Sequence, residues 1–431
     1  MGWSAASWWL SSCWAPFPTA SSLSCNFKRH SCCTATTPPT DFPKRSFHHP
    51  DLTRPWIQPI TPSLSPSLSP SRILVVSYNI LGDQNASYHR DLYAHIPSHL
   101  MKWDRRKRLI CQDLRGWDAD IVCLQEVDRY DDILSDMKKE GYIGNYKRRT
   151  GEAVDGCAML WKEKLVRLLE GESIEFREFG LRDNVAQLFV FEMCKDDSRR
   201  LLVGNIHVLF NPNRGDIKLG QIRLLLEKAH ALSEKWGTIP VVLAGDFNST
   251  PQSAIYKFLS SSELNLTMHD KRQLSGQNRC QPAQFLGMPR LMRKPFPFKD
   301  KFVRYCWTDE ELITATGNSK YTKLKHPLKL YSSYATLKGN VRTRDRRVEP
   351  LATTYHSKFL GTVDYLWYTD GLTPTKVLDT LPVGILRSTG GLPSKKCGSD
   401  HLALVSEFAF VQSSRDEEQQ QYTASEEEEP K

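Results

Sequence analysis

The chain has 431 residues, and 58 Lys and Arg against 49 Asp and Glu give it a formal net charge of +9. This excess suits a polyanionic partner, and no apolar run approaches the roughly 18 residues of a membrane-spanning helix, which argues against stable membrane insertion. The 11 cysteines form neither a CxxC pair nor a Cys/His zinc spacing, which argues against structural zinc and favours a reducing compartment.

Residues 1–72 differ in composition from the rest of the chain. They are rich in Ser, Thr and Pro, have no acidic residue before Asp41 and end in the repeat SLSPSLSPS. Such a composition cannot bury a core and predicts disorder. A Ser-rich, acid-poor start is also typical of a transit peptide. A tail without a targeting function and a secretory signal are the alternatives.

Two subcellular locations are therefore predicted, depending on whether this segment is a transit peptide. Without a transit peptide the protein is expected in the nucleus and cytoplasm, and with one it is expected in an organelle, a chloroplast or a mitochondrion. Since no strand or motif is predicted before Ser71, deletion of that segment is expected to leave a folded protein. At the other end, residues 412–431 are acidic and predict a second disordered segment.

Residues 73–411 alternate strand-like apolar runs with helical patterns, which predicts one large α/β domain. Several of these runs contain polar residues near one end. In chain order they are Asn79 in ILVVSYNIL, Gln125 and Glu126 in ADIVCLQEV, His207 and Asn211 in LLVGNIHVLFNP, Asp246 and Asn248 in IPVVLAGDFN, Asp364 in TVDYLWY, and Asp400 and His401 in GSDHLALVSEF. GCAMLWK and VAQLFVFEM are further predicted strands with fewer polar residues.

Two helices are predicted between these strands. An apolar stripe at helical spacing begins at Trp103. The basic residues Arg105 to Arg108 around it are predicted to form a solvated face, with contact to phosphate as the alternative. A second helix has Asp216 as its predicted N-cap and ends near Trp236.

The run IPVVLAGDFN is the most informative of the predicted strands. Ile239 to Ala244 reads as a buried strand, so Asp246 and Asn248 lie at its carboxyl end, where open α/β sheets form their crevices. Carboxylates, amides and imidazoles on six such runs form a set of oxygen and nitrogen ligands. That chemistry suits Mg²⁺ or Mn²⁺ and a phosphate ester.

Six motifs, in one order, resemble the endonuclease/exonuclease/phosphatase superfamily. They are SYNIL (Ser77 to Leu81), LQEV (Leu124 to Val127), NIHVLFNP (Asn205 to Pro212), GDFNSTP (Gly245 to Pro251), VDYLWY (Val363 to Tyr368) and GSDHLAL (Gly398 to Leu404). Within that superfamily, FNPNRGDIKLGQ and DGCAMLWK resemble the branch of carbon catabolite repressor-type deadenylases, nocturnin and Angel proteins. The resemblance covers Ile73 to Val411. It implies a two-sheet α/β sandwich flanked by helices, with the site at one end of the sandwich.

The resemblance also implies roles for the matching residues. The implied metal ligands are Glu126, Asp246, Asn79 and Asp400, and the alternative role of Asn79 is to hold Glu126 through its amide. The implied catalytic residues are Asp246, His401, Asp364, Asn248 and His207. Asp246 orients or deprotonates the attacking water, His401 donates to the developing phosphorane charge, and Asp364 orients His401. Asn248 and His207 contact phosphate oxygens.

The implied activity is a Mg²⁺-dependent 3′→5′ exoribonuclease that acts on single-stranded RNA, specifically a poly(A) deadenylase in messenger-RNA tail shortening and turnover. A nocturnin-like phosphatase acting on a dinucleotide phosphate such as NADPH is the first alternative. An RNA-binding regulator with a vestigial site is the second, and the complete set of site residues argues against it. No leucine-rich repeat precedes the catalytic region, so docking to a scaffold through such repeats is not expected.

The stretch from Lys271 to Arg347 is rich in Lys and Arg, with the interleaved aromatic residues Tyr305, Trp307, Tyr321, Tyr331 and Tyr334. One interpretation is a solvated loop surface. The other is a groove that follows the phosphates and offers stacking platforms for single-stranded bases. The variable region from Ser260 to Arg347 is expected to shape the base pocket.

Overall fold

The apolar segments predicted as strands form β-strands in the computed structural model, which describes residues 53–59, 71–279 and 307–411. The predicted tail 412–431 and most of the predicted segment 1–72 lie outside these residues. The strands are β1 (Trp56–Ile57), β2 (Arg72–Asn79), β3 (Ile121–Val127), β4 (Tyr142–Arg148), β5 (Gly156–Lys162), β6 (Val166–Glu175), β7 (Val185–Met193), β8 (Asp196–His207), β9 (Val241–Asp246), β10 (Glu263–Asn265), β11 (Lys323–Lys325), β12 (Tyr331–Ser332), β13 (Thr354–His356), β14 (Phe359–Gly361), β15 (Asp364–Tyr368), β16 (Leu372–Leu378) and β17 (Leu404–Phe410). The helices are α1 (Asp83–Tyr88), α2 (Ser98–Met101), α3 (Trp103–Trp117), α4 (Tyr130–Met137), α5 (Gly215–Lys235), α6 (Ala254–Ser261), α7 (Asp309–Thr316), α8 (Ser333–Thr336) and α9 (Val383–Ser388).

Two sheets lie face to face in the centre of the fold. The seven-stranded sheet has the order β1-β16-β17-β2-β3-β5-β4, and the six-stranded sheet has the order β12-β15-β9-β8-β7-β6. Their facing sides share one apolar core, with Ile73 and Cys123 from the first sheet and Val203 and Val242 from the second. Helices α3 and α4 cover the outer face of the first sheet, and α5 and α6 cover that of the second. The predicted two-sheet α/β sandwich is confirmed. Within residues 53–59, 71–279 and 307–411, no helix has the length and apolar character needed to span a bilayer.

The strand directions bring the predicted site residues to one edge of the sandwich. β8 and β9 run parallel, and His207 at the end of β8 pairs with Asp246 at the end of β9. β15 runs antiparallel to β9, so Asp364 at its start lies opposite Asp246. Asp400 and His401 likewise precede β17, which runs antiparallel to β2. Polar residues at both strand starts and strand ends therefore converge, because neighbouring antiparallel strands present opposite ends at the same edge.

The predicted N-cap of α5 is wrong by two residues. The helix begins at Gly215 with Arg214 as N-cap, and Asp216 is buried in its first turn. A Cβ on Gly215 would lie 2.3 Å from the Lys271 carbonyl oxygen, so this start of the helix requires glycine. The Asp216 carboxylate accepts hydrogen bonds of 3.0 and 2.7 Å from the Arg214 guanidinium instead of capping the backbone.

Part of the segment predicted to be disordered is a strand in the structure. β1 pairs antiparallel with β16 at the edge of the seven-stranded sheet. Just before it, the Arg54 guanidinium donates hydrogen bonds to the carbonyls of Asp379 (2.6 Å), Leu378 (3.2 Å) and Ala403 (2.7 Å). A strand of two residues is too short to give a periodicity signal in the sequence. The hydrogen bonds of Arg54, which fix this segment against the sheet, are tertiary contacts that no local pattern reveals.

A buried amide network joins the two sheets beneath the site. The Asn205 side chain on β8 donates to the carbonyls of Leu124 (3.1 Å) and Ala158 (2.9 Å) and accepts from Gln125 Nε2 (2.8 Å). Both Asn205 and Gln125 are fully buried. Every one of these bonds crosses from one sheet to the other, so the network fixes the sheets relative to each other at the edge that contains Glu126.

We expect Asn205→Leu to lower the free energy of unfolding by about 3 kcal/mol, because Gln125 loses its shortest hydrogen bond and the carbonyls of Leu124 and Ala158 lose the Asn205 donor inside the core. Urea unfolding followed by circular dichroism measures the change. Gln112→Leu, at an exposed position of α3, is the matched control and should change stability little. A loss below about 1 kcal/mol for Asn205→Leu would mean that the network is dispensable.

Candidate active site

A cleft of about 530 Å³ opens at the edge where the strand termini meet. The predicted site residues in its wall are Glu126, His207, Asp246, Asn248, Asp400 and His401. Asn79 and Asp364 lie directly behind this wall, where each is hydrogen-bonded to one of the lining residues. All eight predicted site residues are therefore brought together, which is the arrangement that the motifs implied.

One side of the cleft is built around the Asn79 amide. Its Nδ2 donates to Glu126 Oε1 at 2.9 Å and to Asp246 Oδ2 at 3.2 Å, so it joins the two carboxylates. Glu126 Oε2 accepts further hydrogen bonds from the Gly82 backbone (3.4 Å) and from Asn85 Nδ2 (3.0 Å). The Asn79 amide oxygen accepts from the Leu81 N–H at 3.1 Å, so the two carboxylates are the oxygen donors that suit a hard divalent cation here.

The backbone at Glu126 is in a conformation that non-glycine residues rarely adopt. Its φ is 56°, and the pairing of β3 with β5 shifts register between Leu124 and Val127. A left-handed residue costs of order 1–3 kcal/mol and persists only where surrounding contacts impose it. Here the irregularity turns Glu126 into the cleft, whereas its neighbour Gln125 remains in the buried amide network.

Asp246 is a buried carboxyl with a strongly shifted pKa. Burial, and then the charge of Asp364 opposite it, raise the pKa of Asp246 to about 7. Asn248 N donates to Asp246 Oδ1 at 2.9 Å and fixes its orientation. Two acidic groups that face each other in a buried site, with Glu126 close by, form a site whose charge a divalent cation would neutralise.

Atoms of Asp246, Asp364 and His401 lie within 4.8 Å of one another, which is also compatible with a metal site. His401 does not suit that role, because its Nδ1 is hydrogen-bonded to Asp364 Oδ2 at 2.9 Å and Oδ1 at 3.1 Å. Burial lowers the pKa of His401, but Asp364, Asp400 and Asp246 outweigh it and raise the pKa well above its ordinary value. A protonated imidazole has no lone pair for a metal. The carboxylate and amide side of the cleft therefore fits the ion better.

His401 and Asp364 form the other side of the cleft. The Thr353 hydroxyl donates to Asp364 Oδ2 and accepts from the backbone N–H of Val363, which locks the carboxylate in place. Asp400 Oδ2 accepts a hydrogen bond of 2.8 Å from the Tyr93 hydroxyl. Asp400 was predicted as a metal ligand, and its position beside His401 adds negative charge to this side of the cleft.

His207 and Asn248 occupy the floor between the two sides. Burial lowers the pKa of His207 to about 4, so its imidazole is neutral, and its Nε2 lies 3.6 Å from Asp246 Oδ2. Asn248 Nδ2 donates to the Val208 carbonyl at 2.9 Å, which uses one of its two hydrogens. The buried Lys218 Nζ, whose pKa is lowered well below its ordinary value by burial, donates to the Asn248 carbonyl at 2.8 Å and to Gln277 Oε1 at 2.6 Å. Sequence reasoning did not identify Lys218 or Gln277. Their contacts with each other and with Asn248 join segments that are distant in the chain, and no local pattern indicates such contacts.

Further residues in the cleft wall were also missed. Arg149 is paired with Asp155 at 3.2 Å, and Lys358 with Asp91 at 2.5 Å. Phe359 stacks on the His356 ring with an interplanar angle of 30°. The cleft thus offers positive charge and aromatic surface outside the acidic centre. These residues lie in loops and short strands, where composition alone assigns no role.

Among the described residues of Lys271 to Arg347, Tyr331 and Tyr334 are packed within the fold, whereas Tyr321 is exposed. Tyr334 is buried under the Arg344 guanidinium, 5.1 Å from its ring centre, and Tyr331 packs on Tyr368. Tyr305 lies outside the described residues. Within residues 71–279 and 307–411, this stretch contributes Gln277 and Asn278 to the cleft and none of its aromatic residues. Core packing, which composition cannot distinguish from base stacking, accounts for Tyr331 and Tyr334.

Comparison with known proteins agrees with this geometry. Residues 76–401 match the Endonuclease/Exonuclease/phosphatase family. The Arabidopsis thaliana protein named carbon catabolite repressor protein 4 homolog 3 is 56% identical over 371 residues, 84% of this chain and 81% of the relative. Mouse protein angel homolog 2 is 30% identical over 378 residues, 78% of this chain and 68% of the relative.

Two solved structures have a similar fold. The structure of ANGEL2, described as a 2′,3′-cyclic phosphatase in complex with adenosine-2′,3′-vanadate, has a TM-score of 0.67 and 29% identity, over 84% of this chain and 99% of that one. The human nocturnin catalytic domain has a TM-score of 0.51 and 22% identity, over 83% of this chain and 98% of that one, which shows a common fold.

The chain belongs to the endonuclease/exonuclease/phosphatase family, in the branch of carbon catabolite repressor 4 homologues and Angel and nocturnin-like proteins. It is a hydrolase of the phosphodiesterase type, and enzymes of this family typically depend on a divalent metal ion. The family resemblance predicted from the six motifs is confirmed.

Proposed function

We propose that the protein is a Mg²⁺-dependent 3′→5′ exoribonuclease that shortens poly(A) on single-stranded messenger RNA. The observation that supports this most is the two-sided cleft, in which a carboxylate and amide group faces His401, whose Nδ1 is hydrogen-bonded to Asp364. Phosphodiester hydrolysis needs both, a site for the ion and a cationic donor for the phosphoryl oxygens. The identity of 56% to a carbon catabolite repressor 4 homologue supports the choice of RNA tails as substrate.

In this proposal Glu126, Asp246 and Asn79 hold the ion, and Mn²⁺ is an alternative to Mg²⁺. When bound, the ion supplies charge that polarises the phosphoryl group. Asp246, fixed by the Asn248 N–H, orients the attacking water and accepts its proton. His401 donates to a phosphoryl oxygen, and Asp364 keeps it protonated and oriented. The neutral His207 and the free Asn248 amide hydrogen contact the remaining phosphate oxygens.

The test uses purified full-length protein with Mg²⁺ and 5′-labelled oligo(A), oligo(U) and oligo(C) at one salt concentration. We expect a ladder that shortens from the 3′ end, fastest for oligo(A), and no ladder with excess chelator. Glu178→Ala, an exposed acidic position, is the control variant and should act like wild type. Intact oligonucleotides under all metal conditions would refute the exoribonuclease proposal.

A second candidate is a 2′,3′-cyclic phosphatase acting on RNA ends, which the likeness to the ANGEL2 structure favours. The same cleft residues would open a cyclic phosphate, because the attack on phosphorus needs the same ion and the same donors. Oligo(A) with a 2′,3′-cyclic phosphate end separates the two proposals. Conversion of that end without loss of nucleotides would favour the cyclic phosphatase, and shortening of oligo(A) with a 3′ hydroxyl would favour the exoribonuclease. Phosphate release from NADPH, assayed in parallel, tests the nocturnin-like alternative.

For the address of the protein, we propose that the Ser-rich start directs import into an organelle. A fluorescent protein fused to residues 1–52 tests this without removing β1 or Arg54 from the enzyme. We expect organellar fluorescence for the fusion. Diffuse signal in the cytosol and nucleus would contradict the import proposal and would agree with an action on cytoplasmic messenger RNA.

A further inference from the structure

Arg106 in α3 is a charged residue without solvent contact. Its side chain is 0% exposed, in contrast to the solvated face predicted for Arg105 to Arg108. Arg108 on the same helix is exposed, as predicted. A buried guanidinium is costly unless its hydrogens are used, so a fold that keeps one uses it to hold something in place.

The Arg106 guanidinium joins two chain segments of the cleft. Its Nη1 donates to the carbonyls of Leu81 (2.7 Å), Ile80 (3.2 Å) and Gly398 (3.4 Å). Ile80 and Leu81 directly follow Asn79, and Gly398 precedes Ser399, Asp400 and His401. One planar group thus connects the segment of the metal-side amide with the segment of the cationic donor.

The surroundings of Arg106 leave little freedom for either segment. A Cβ on Gly398 would lie 2.6 Å from the Arg106 carbonyl oxygen, so the loop lies directly against the helix. Nε donates to the Met101 carbonyl at 3.2 Å, which anchors the guanidinium at the start of the helix. Nη2 has no hydrogen-bond partner in the described structure and lies 3.8 Å from Asp83 Oδ1. The guanidinium thus forms an ion pair with Asp83 without a hydrogen bond to it. Its hydrogen-bond acceptors are the backbone carbonyls.

We propose that Arg106 is a positioning residue, which sets the separation between the Asn79 side and the His401 side of the cleft. It touches no reacting atom. Lysine cannot replace it fully, because a single ammonium lacks the planar fork that reaches Leu81, Gly398 and Met101 together. The kinetic part of its test rests on the proposed hydrolysis of RNA, whereas the structural part does not.

The test compares full-length Arg106→Lys and Arg106→Ala with Arg108→Ala as control. We expect kcat to fall on the order of 10²-fold in Arg106→Ala with KM changed about twofold or less, since displaced groups affect the transition state more than binding. Guanidinium at tens of millimolar should restore part of kcat in Arg106→Ala and none in Arg106→Lys, where the ammonium occupies the site. A wild-type kcat in folded Arg106→Ala would overturn the proposal.

Hydrogen exchange supplies a readout that is independent of substrate. In Arg106→Lys, peptides covering residues 79–82 and 397–401 should exchange faster together, while the six-stranded sheet exchanges as in wild type. Unchanged exchange in both segments would overturn the proposal whatever the activity. Faster exchange in both, combined with a wild-type protein that hydrolyses no oligonucleotide, would count against the proposed substrate and for the positioning role. If Arg106→Ala does not fold, Arg106→Lys alone decides.

Discussion

Replacement of Asp246 by Asn is expected to lower turnover on the order of 10³-fold while the fold remains intact. The amide keeps the shape of the side chain and its hydrogen bond from Asn248 N, but it loses the charge that holds the ion and the basicity that accepts the water proton. The measurement is kcat on labelled oligo(A), with circular dichroism for the fold. Glu178→Gln, at an exposed position, is the matched acid-to-amide control. A residual activity within tenfold of wild type would remove Asp246 from the mechanism.

The same variant has a predicted effect on stability without metal. The pKa of Asp246 is about 7 in the fold and about 3.9 in an unfolded chain, so the folded state binds more protons between these values. Its stability therefore falls as pH rises through this window, and Asp246→Asn should remove that part of the dependence. Urea unfolding with chelator at about pH 5 and pH 8 measures it. Added Mg²⁺ should stabilise wild type more than the variant, because it binds the folded state through this carboxylate.

Asp364→Asn is expected to lower kcat on the order of 10²-fold near neutral pH and to move the alkaline limb of the pH profile to lower pH. The reason is the loss of the charge that contributes most to raising the pKa of His401, after which burial, which lowers that pKa, has more weight. A donor must be protonated, so a lower pKa ends activity at a lower pH. Thr353→Val, which removes the hydroxyl that locks Asp364, should give a smaller loss in the same direction.

Asp370→Asn is the matched control for this experiment, because its exposed carboxylate follows the far end of the same strand, β15. Profiles of kcat from about pH 5 to pH 10 for wild type and the three variants give the comparison. If the alkaline limb of the Asp364→Asn profile lies at the same pH as in wild type, that limb reports the titration of a group other than His401, even if kcat itself falls.

Much of the fold and the centre of the site could be predicted from the sequence, because polar residues at the ends of apolar runs are a local signal. Asp246 and Glu126 were identified in this way, and the motif order then supplied His207, Asp364 and His401. The remaining features depend on contacts between distant segments. Arg106 looks solvated within a run of four basic residues, but the segments at Leu81 and Gly398 pack over it and bury it.

Other residues escaped prediction for related reasons. Thr353 and Tyr93 lie in connections without periodicity, and their roles come from contact with Asp364 and Asp400. The aromatic residue Tyr334 belongs to the core, although its basic neighbours suggested a nucleic-acid surface. The apolar periodicity of strands and helices does not predict whether a charged or aromatic residue is buried. Tertiary packing decides this, and local composition does not reveal it.

The contacts of Arg54 limit where a maturation protease could cut. If an imported precursor loses its presequence, a cut just before Ser71 would discard β1 and the guanidinium that binds the carbonyls of Leu378, Asp379 and Ala403. A mature form that retains these bonds must begin no later than Arg54, so a removable presequence can include at most the 53 residues before it. For such a precursor, the latest amino-terminal boundary would be set by the hydrogen bonds of Arg54, one of which reaches Ala403 two residues after His401, rather than by the composition of the presequence.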